Sequence, residues 1–123
     1  MNTQDMRAEL NDALGRHAAW KIRLREAAIS KETDLPVDMI KRDDCCKFGK
    51  WLQALPAETR NSTEAQTVQD LHAKFHSVAG NVAEQIAAGQ IDGALAALDG
   101  QVYKTSSDSL ARAVTHWRTS LHR

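Results

Sequence analysis

The sequence predicts an all-α fold, an antiparallel four-helix bundle with a short helical insert that carries a cysteine. Three observations predict it. Apolar residues recur at helical spacing through almost the whole chain, the alternation of β-branched and aromatic residues that marks strands is absent, and only two prolines and six glycines interrupt 123 residues. That length suits one domain spanning residues 1–123, large enough to bury a core without staples.

The first helix is expected to start at Asn2 or Thr3, either of which can cap it, with Asp5 favourably placed in the first turn. Leu10, Leu14, His17, Leu24 and Ala28 then share one stripe, and the helix should end near Ser30. Thr33-Asp34-Leu35-Pro36 reads as loop, because the proline disfavours helix in the residue before it. Cys46-Lys47-Phe48-Gly49-Lys50-Trp51-Leu52 is expected to form one or two helical turns with Trp51 and Leu52 inward, ended by Leu55-Pro56. Asn61 can cap the next helix, with Glu64 three residues on in capping-box register. Its buried stripe is Val68, Leu71, His72, Phe75, Ala79, Val82 and Ile86, and Gly89 is its natural stop. A last helical segment from about Asp92 to Leu121 carries a looser stripe of Leu95, Leu98, Val102, Thr105, Ser109, Val114, Trp117 and Leu121, weakened in its first half by Gly93 and Gly100.

Bulk properties narrow the function. Sixteen basic residues balance sixteen acidic ones, so nothing points to nucleic acid. No run of 18 apolar residues exists to span a membrane, and the polar start Met1-Asn2-Thr3-Gln4-Asp5 is unlike a secretory signal. The expected location is the cytoplasm. The two cysteines, Cys45 and Cys46, are adjacent, and neighbours rarely pair because the ring they would close is strained. They therefore call for packing, metal or redox chemistry.

His72 and His76 stand four apart, which on a helix stacks two imidazoles on one face. Ala73 occupies the place where a zincin metalloprotease carries its glutamate base. On its own the pair is weak evidence, and a lone histidine on an apolar stripe, such as His17, is usually a core residue. Together with Cys46, however, these residues come from three separate elements and each has an inward direction. Three imidazoles and one thiolate make a tetrahedral zinc site, with zinc favoured over magnesium or calcium by the soft sulfur. Asp43 and Asp44 read as solvated loop charges, or else as groups that orient a histidine. Trp20, Trp51 and Phe75 read as core or dimer packing, and His116 and His122 as surface residues. Cys45 reads as a bystander; the alternative is a resolving thiol for an oxidised Cys46, against which vicinal strain argues.

Three segments carry a family resemblance. His17-Ala18-Ala19-Trp20-Lys21, Cys46-Lys47-Phe48-Gly49-Lys50-Trp51-Leu52 and His72-Ala73-Lys74-Phe75-His76 resemble, in order and separation, the chemoreceptor zinc-binding (CZB) domain. The resemblance implies Zn2+ held by His17, Cys46, His72 and His76 in a four-helix bundle, often a homodimer. It also implies a regulatory role toward a chemoreceptor or diguanylate cyclase, answering to zinc level or to oxidation of the cysteine. The sequence contains no signalling or cyclase domain of its own, so the chain is expected to be a stand-alone member, an adaptor or an excised piece. A site closed by four protein ligands leaves no open position for hydrolysis, so no enzymatic activity is expected. Two rivals remain, a hemerythrin-like metal-binding bundle and a metal-free structural adaptor. Glu64, Asp70 and Glu84 fall outside the carboxylate register that a di-iron centre needs with His72 and His76.

Overall fold

A computed structural model describes residues 2–121, all of whose regular structure is helical. The expectation for His122 lies outside the described residues. Seven helices follow one another: α1 (Thr3–Ile29), α2 (Val37–Lys41), α3 (Lys47–Ala54), α4 (Ala57–Arg60), α5 (Thr63–Ala87), α6 (Ile91–Leu98) and α7 (Gln101–Ser120). Among the described residues no helix is long and apolar enough to cross a membrane.

The N-terminal cap forms as the sequence predicts. Asn2 Oδ1 accepts a hydrogen bond from the Asp5 backbone N–H at 2.7 Å. Met6, Leu10, Ala13, His17, Leu24, Ala27 and Ala28 then form the inward stripe of α1. Gly89, at φ +80°, sits just past the end of α5, in the left-handed region that glycine adopts without steric cost.

α5 is the central element, touching α1, α2, α3, α4, α6 and α7. Its buried face, from Ala65 through Val68, His72, Phe75, His76, Ala79 and Val82 to Ile86, joins the inward faces of α1 and α7 in one core. The apolar repeat, sustained from Ala65 to Ile86, is what gives this helix its broad inward face.

Three expectations about the elements need correction. Ser62, not Asn61, caps α5: its Oγ accepts from the Ala65 N–H at 3.2 Å, while Asn61 closes the single turn of α4. α2 was not anticipated. Its five residues are too few to show a period, and it holds its place by packing, with Ile40 buried and Lys41 laid directly over Gly80. A Cβ at Gly80 would stand 2.1 Å from Lys41 Cγ and 2.9 Å from its Cα, so the missing side chain is what lets α2 dock on α5.

The third correction concerns the last segment, which is two helices. The chain leaves helical geometry at Asp99-Gly100, where Gly100 is extended (ψ 168°) and opens α7. Carrying the stripe of α6 straight through this break puts Val102, Thr105 and Ser109 inside. The two non-helical residues instead rotate the register by one, so Tyr103, Ser106 and Leu110 are buried while Val102 is 70% exposed. Val114 and Trp117, further along, are buried as expected.

Candidate metal centre

Four side chains from three elements meet between α1, α3 and α5. His17 lies at the middle of α1, His72 and His76 are one turn apart on α5, and Cys46 stands at the N-terminus of α3. One donor atom from each lies within 4.8 Å of all the others. His72 Nε2 is 3.1 Å from His17 Nε2 and 3.3 Å from Cys46 Sγ. A tetrahedral zinc ion with ordinary bond lengths would set such pairs at about 3.3 Å for two nitrogens and about 3.6 Å for nitrogen and sulfur. The two pairs made by His72 stand within a few tenths of an ångström of that geometry.

Backbone carbonyls decide which ring nitrogens face the centre. His17 Nδ1 donates to the Ala13 carbonyl at 2.8 Å, one turn back along α1, and His76 Nδ1 donates to the Ile40 carbonyl at 2.9 Å, contributed by α2. In each neutral ring that leaves Nε2 as a bare lone pair. His76 Nε2 is buried and has no hydrogen-bond partner. An orphaned acceptor in such a place carries the full cost of lost hydration, which a cation at the convergence point would offset.

The sulfur is held by the local fold of α3. Cys46 is the N-cap, and its Sγ accepts from the Gly49 N–H at 3.3 Å, in the manner of a serine or aspartate cap. Gly49 is a steric requirement of this turn, because a Cβ there would fall 1.6 Å from the Asp43 carbonyl oxygen. The Cys-x-x-Gly spacing thus places the sulfur and lets the preceding loop close against the helix.

The surroundings keep the imidazoles uncharged. His17 is 8% exposed, His72 1% and His76 1%. Phe48 packs edge-on to His17 and His72, and Phe75 edge-on to His17. Burial holds His17 down at about 4 and His72 at about 3, and pushes His76 below its ordinary value against the opposing pull of its Ile40 hydrogen bond. At neutral pH the three rings are free bases, the form that binds metal. Burial pushes the Cys46 thiol up, so a positive charge at the centre is what would favour its thiolate.

The remaining candidates fall outside the cluster. Asp44 makes a two-point, solvent-exposed pair with Arg42, both contacts at 3.0 Å. Carbonyls, not the carboxylates of Asp43 and Asp44, orient the two histidines whose outer nitrogens are engaged. Phe75 is core; Trp51 stacks on Phe48 and leans on Trp117. Trp20 lies partly exposed beneath Arg23, and His116 is exposed. Among the described residues no carboxylate joins the cluster. Sequence reasoning missed the two orienting carbonyls. A carbonyl leaves no residue-type signal, and Ile40 sits in a helix too short to predict.

Comparison with known proteins bears on this arrangement directly. No curated protein and no solved structure matches the chain. The model of one protein family, the chemoreceptor zinc-binding domain, matches residues 17–83. That stretch is more than half of the chain, begins at the first histidine of the cluster and encloses the other three donors. The chain belongs to the chemoreceptor zinc-binding domain family.

Proposed function

We propose that the chain binds one zinc ion through His17, Cys46, His72 and His76, and that it serves as a regulatory module and not as an enzyme. The observation that carries this reading is the set of four donors within 4.8 Å of one another, with the lone pairs of two buried imidazoles directed by carbonyls on their far sides. The all-His/Cys donor set favours zinc over harder cations, and the lack of any carboxylate in it weighs against a di-iron, hemerythrin-like centre.

Bound zinc would supply the positive charge that holds Cys46 as thiolate. Filled, the site has α1 tied through His17, α5 through His72 and His76, and α3 through Cys46. All three helices enter the core, but α3 is short and anchored there chiefly by Phe48 and Leu52, so its docking is the part that responds to the state of the site. Two inputs fit: loss of the metal, or oxidation of Cys46 at its half-exposed position, either of which frees α3. The receiving partner in this reading is a chemoreceptor or a diguanylate cyclase, in the cytoplasm, with the domain acting as a homodimer. Ile22 and Ile29, exposed on α1, support self-association.

Two measurements test the reading. Protein made without a histidine tag should contain one zinc per chain by elemental analysis. A chelator should lower its melting temperature by 10 °C or more, an effect of about 3 kcal/mol or above for a domain of this size. His72→Ala should bind no zinc at one equivalent. A chain that carries no zinc, or whose melting is indifferent to chelation, rules the site out. In the oxidised-cysteine mode, peroxide should release zinc from the wild type and not from a zinc-loaded Cys45→Ala/Cys46→Ala variant that lacks both thiols; equal release from both excludes that input.

A further inference from the structure

Beside the metal centre a cavity of about 180 Å³ reaches inward from the surface between α1, α2 and the turn before α3. Trp20, Met39, Ile40, Cys45, Cys46 and His76 are among its walls. Met39 is 59% exposed and marks the outer end, while His76 and Cys46, two of the four donors, mark the inner end. The volume holds several waters, enough for a cation that has shed part of its hydration shell.

Cys45 is half-buried in this wall and forms no disulfide. It is no member of the four-donor cluster, yet it is the one further thiol in the wall, which it shares with an imidazole whose Nε2 has no partner. We propose that Cys45 is an exchange ligand, a second sulfur that takes the place of Cys46 while the cation is loaded or withdrawn. This rests on the zinc-site reading above and adds a fifth residue with a kinetic role.

The three histidines are poor leaving groups, since they project from long, core-packed helices and are 8% exposed or less. Cys46 lies at the tip of a short helix and is half-exposed, so its bond is the one that can open first. In the exchange, the bond from the cation to Cys45 Sγ forms as the bond to Cys46 Sγ breaks. The proton that leaves the Cys45 thiol is taken up, through water, by the departing Cys46 thiolate. No electrons are transferred, and the charge at the centre stays constant, which avoids a bare three-histidine intermediate.

The test uses the full chain loaded with one equivalent of zinc and mixed rapidly with excess chromogenic pyridylazo chelator. Cys45→Ser should slow zinc transfer by about tenfold or more while leaving the equilibrium affinity unchanged. A transfer rate equal to that of the wild type overturns the proposal, as does a fall in affinity of the same size as the change in rate. A second measurement follows cobalt(II) in Cys46→Ser. The near-ultraviolet thiolate-to-cobalt band should persist there and vanish in the Cys45→Ser/Cys46→Ser double variant; its absence from Cys46→Ser alone overturns the proposal. A wild type that binds neither zinc nor cobalt removes the zinc-site reading itself, a result distinct from either of these.

Discussion

Gly49→Ala is expected to weaken metal binding on the order of 100-fold and to lower the melting temperature both with and without metal. The sign is opposite to what a solvent-facing helical glycine would show, where alanine is favoured by about 1 kcal/mol. The added Cβ would lie 1.6 Å from the Asp43 oxygen, 2.7 Å from its carbonyl carbon and 3.2 Å from Asp44 Cα. All three are backbone atoms and cannot swing aside, so α3 must lift away from the preceding turn. Gly49 also supplies the N–H that Cys46 Sγ accepts, and a lifted helix carries the sulfur out of the cluster. Gly15→Ala is the matched control, because nothing lies within 4 Å of a Cβ on that exposed position of α1, and it should stabilise the protein. Thermal melts and zinc titrations of the two variants settle the point. Wild-type zinc affinity in Gly49→Ala would show that α3 does not need its close seat to hold the sulfur.

The metal-free protein should lose stability steeply in mild acid. Each of the three buried imidazoles has a folded pKa below its ordinary 6.5, reaching about 4 for His17 and about 3 for His72. Above pH 6.5 the rings are neutral in both folded and unfolded chains, and stability does not depend on them. Below it the unfolded chain takes up protons that the folded chain refuses. Stability then falls by about 1.4 kcal/mol per pH unit for each of His17 and His72, or roughly 3 for the pair, until their folded values are reached, and His76 adds in the same direction. Between about pH 6.5 and 5 the loss from His17 and His72 approaches 4 kcal/mol, a large share of the whole stability of many domains. Urea unfolding in the presence of chelator at about pH 7.5, 6 and 5 measures it. A flat profile across that range would mean that the imidazoles are open to water when the metal is gone. Zinc-loaded protein should withstand the upper part of the range, because ligand binding adds to the stability of the folded state, and should fail where protons displace the metal.

Much of the centre could be read from residue types. His17 falls on an apolar stripe whose period is that of a helix, His72 and His76 differ by one turn, and Cys46 precedes a phenylalanine and a tryptophan that had to turn inward. Each of these facts is local, and helical periodicity alone converts it into a direction. What stayed hidden is what depends on contact between distant segments. The five residues of α2 have too little length to show a period, and only the Gly80 surface beneath Lys41 makes them a helix with a fixed place. The Ile40 carbonyl that orients His76 therefore could not be anticipated. The register of α7 was misjudged for a related reason. Two residues leave the helix at Asp99-Gly100, and a period carried straight through that break places Val102, Thr105 and Ser109 one position away from the residues that are buried.

By itself, then, the amino-acid order determined the helical class, a cap at Asn2 or Thr3, the inward faces of α1 and α5, and which four side chains would be drawn into one cluster. These follow from side-chain chemistry and a repeat of 3.6 residues, both properties of short stretches of chain. Tertiary structure alone decided the distances among the donors, the tautomers of His17 and His76, the close seat of Gly49, and the cavity that brings Cys45 alongside. Each of those depends on where one segment's backbone stops against another's, and packing at that scale is a property of the assembled core.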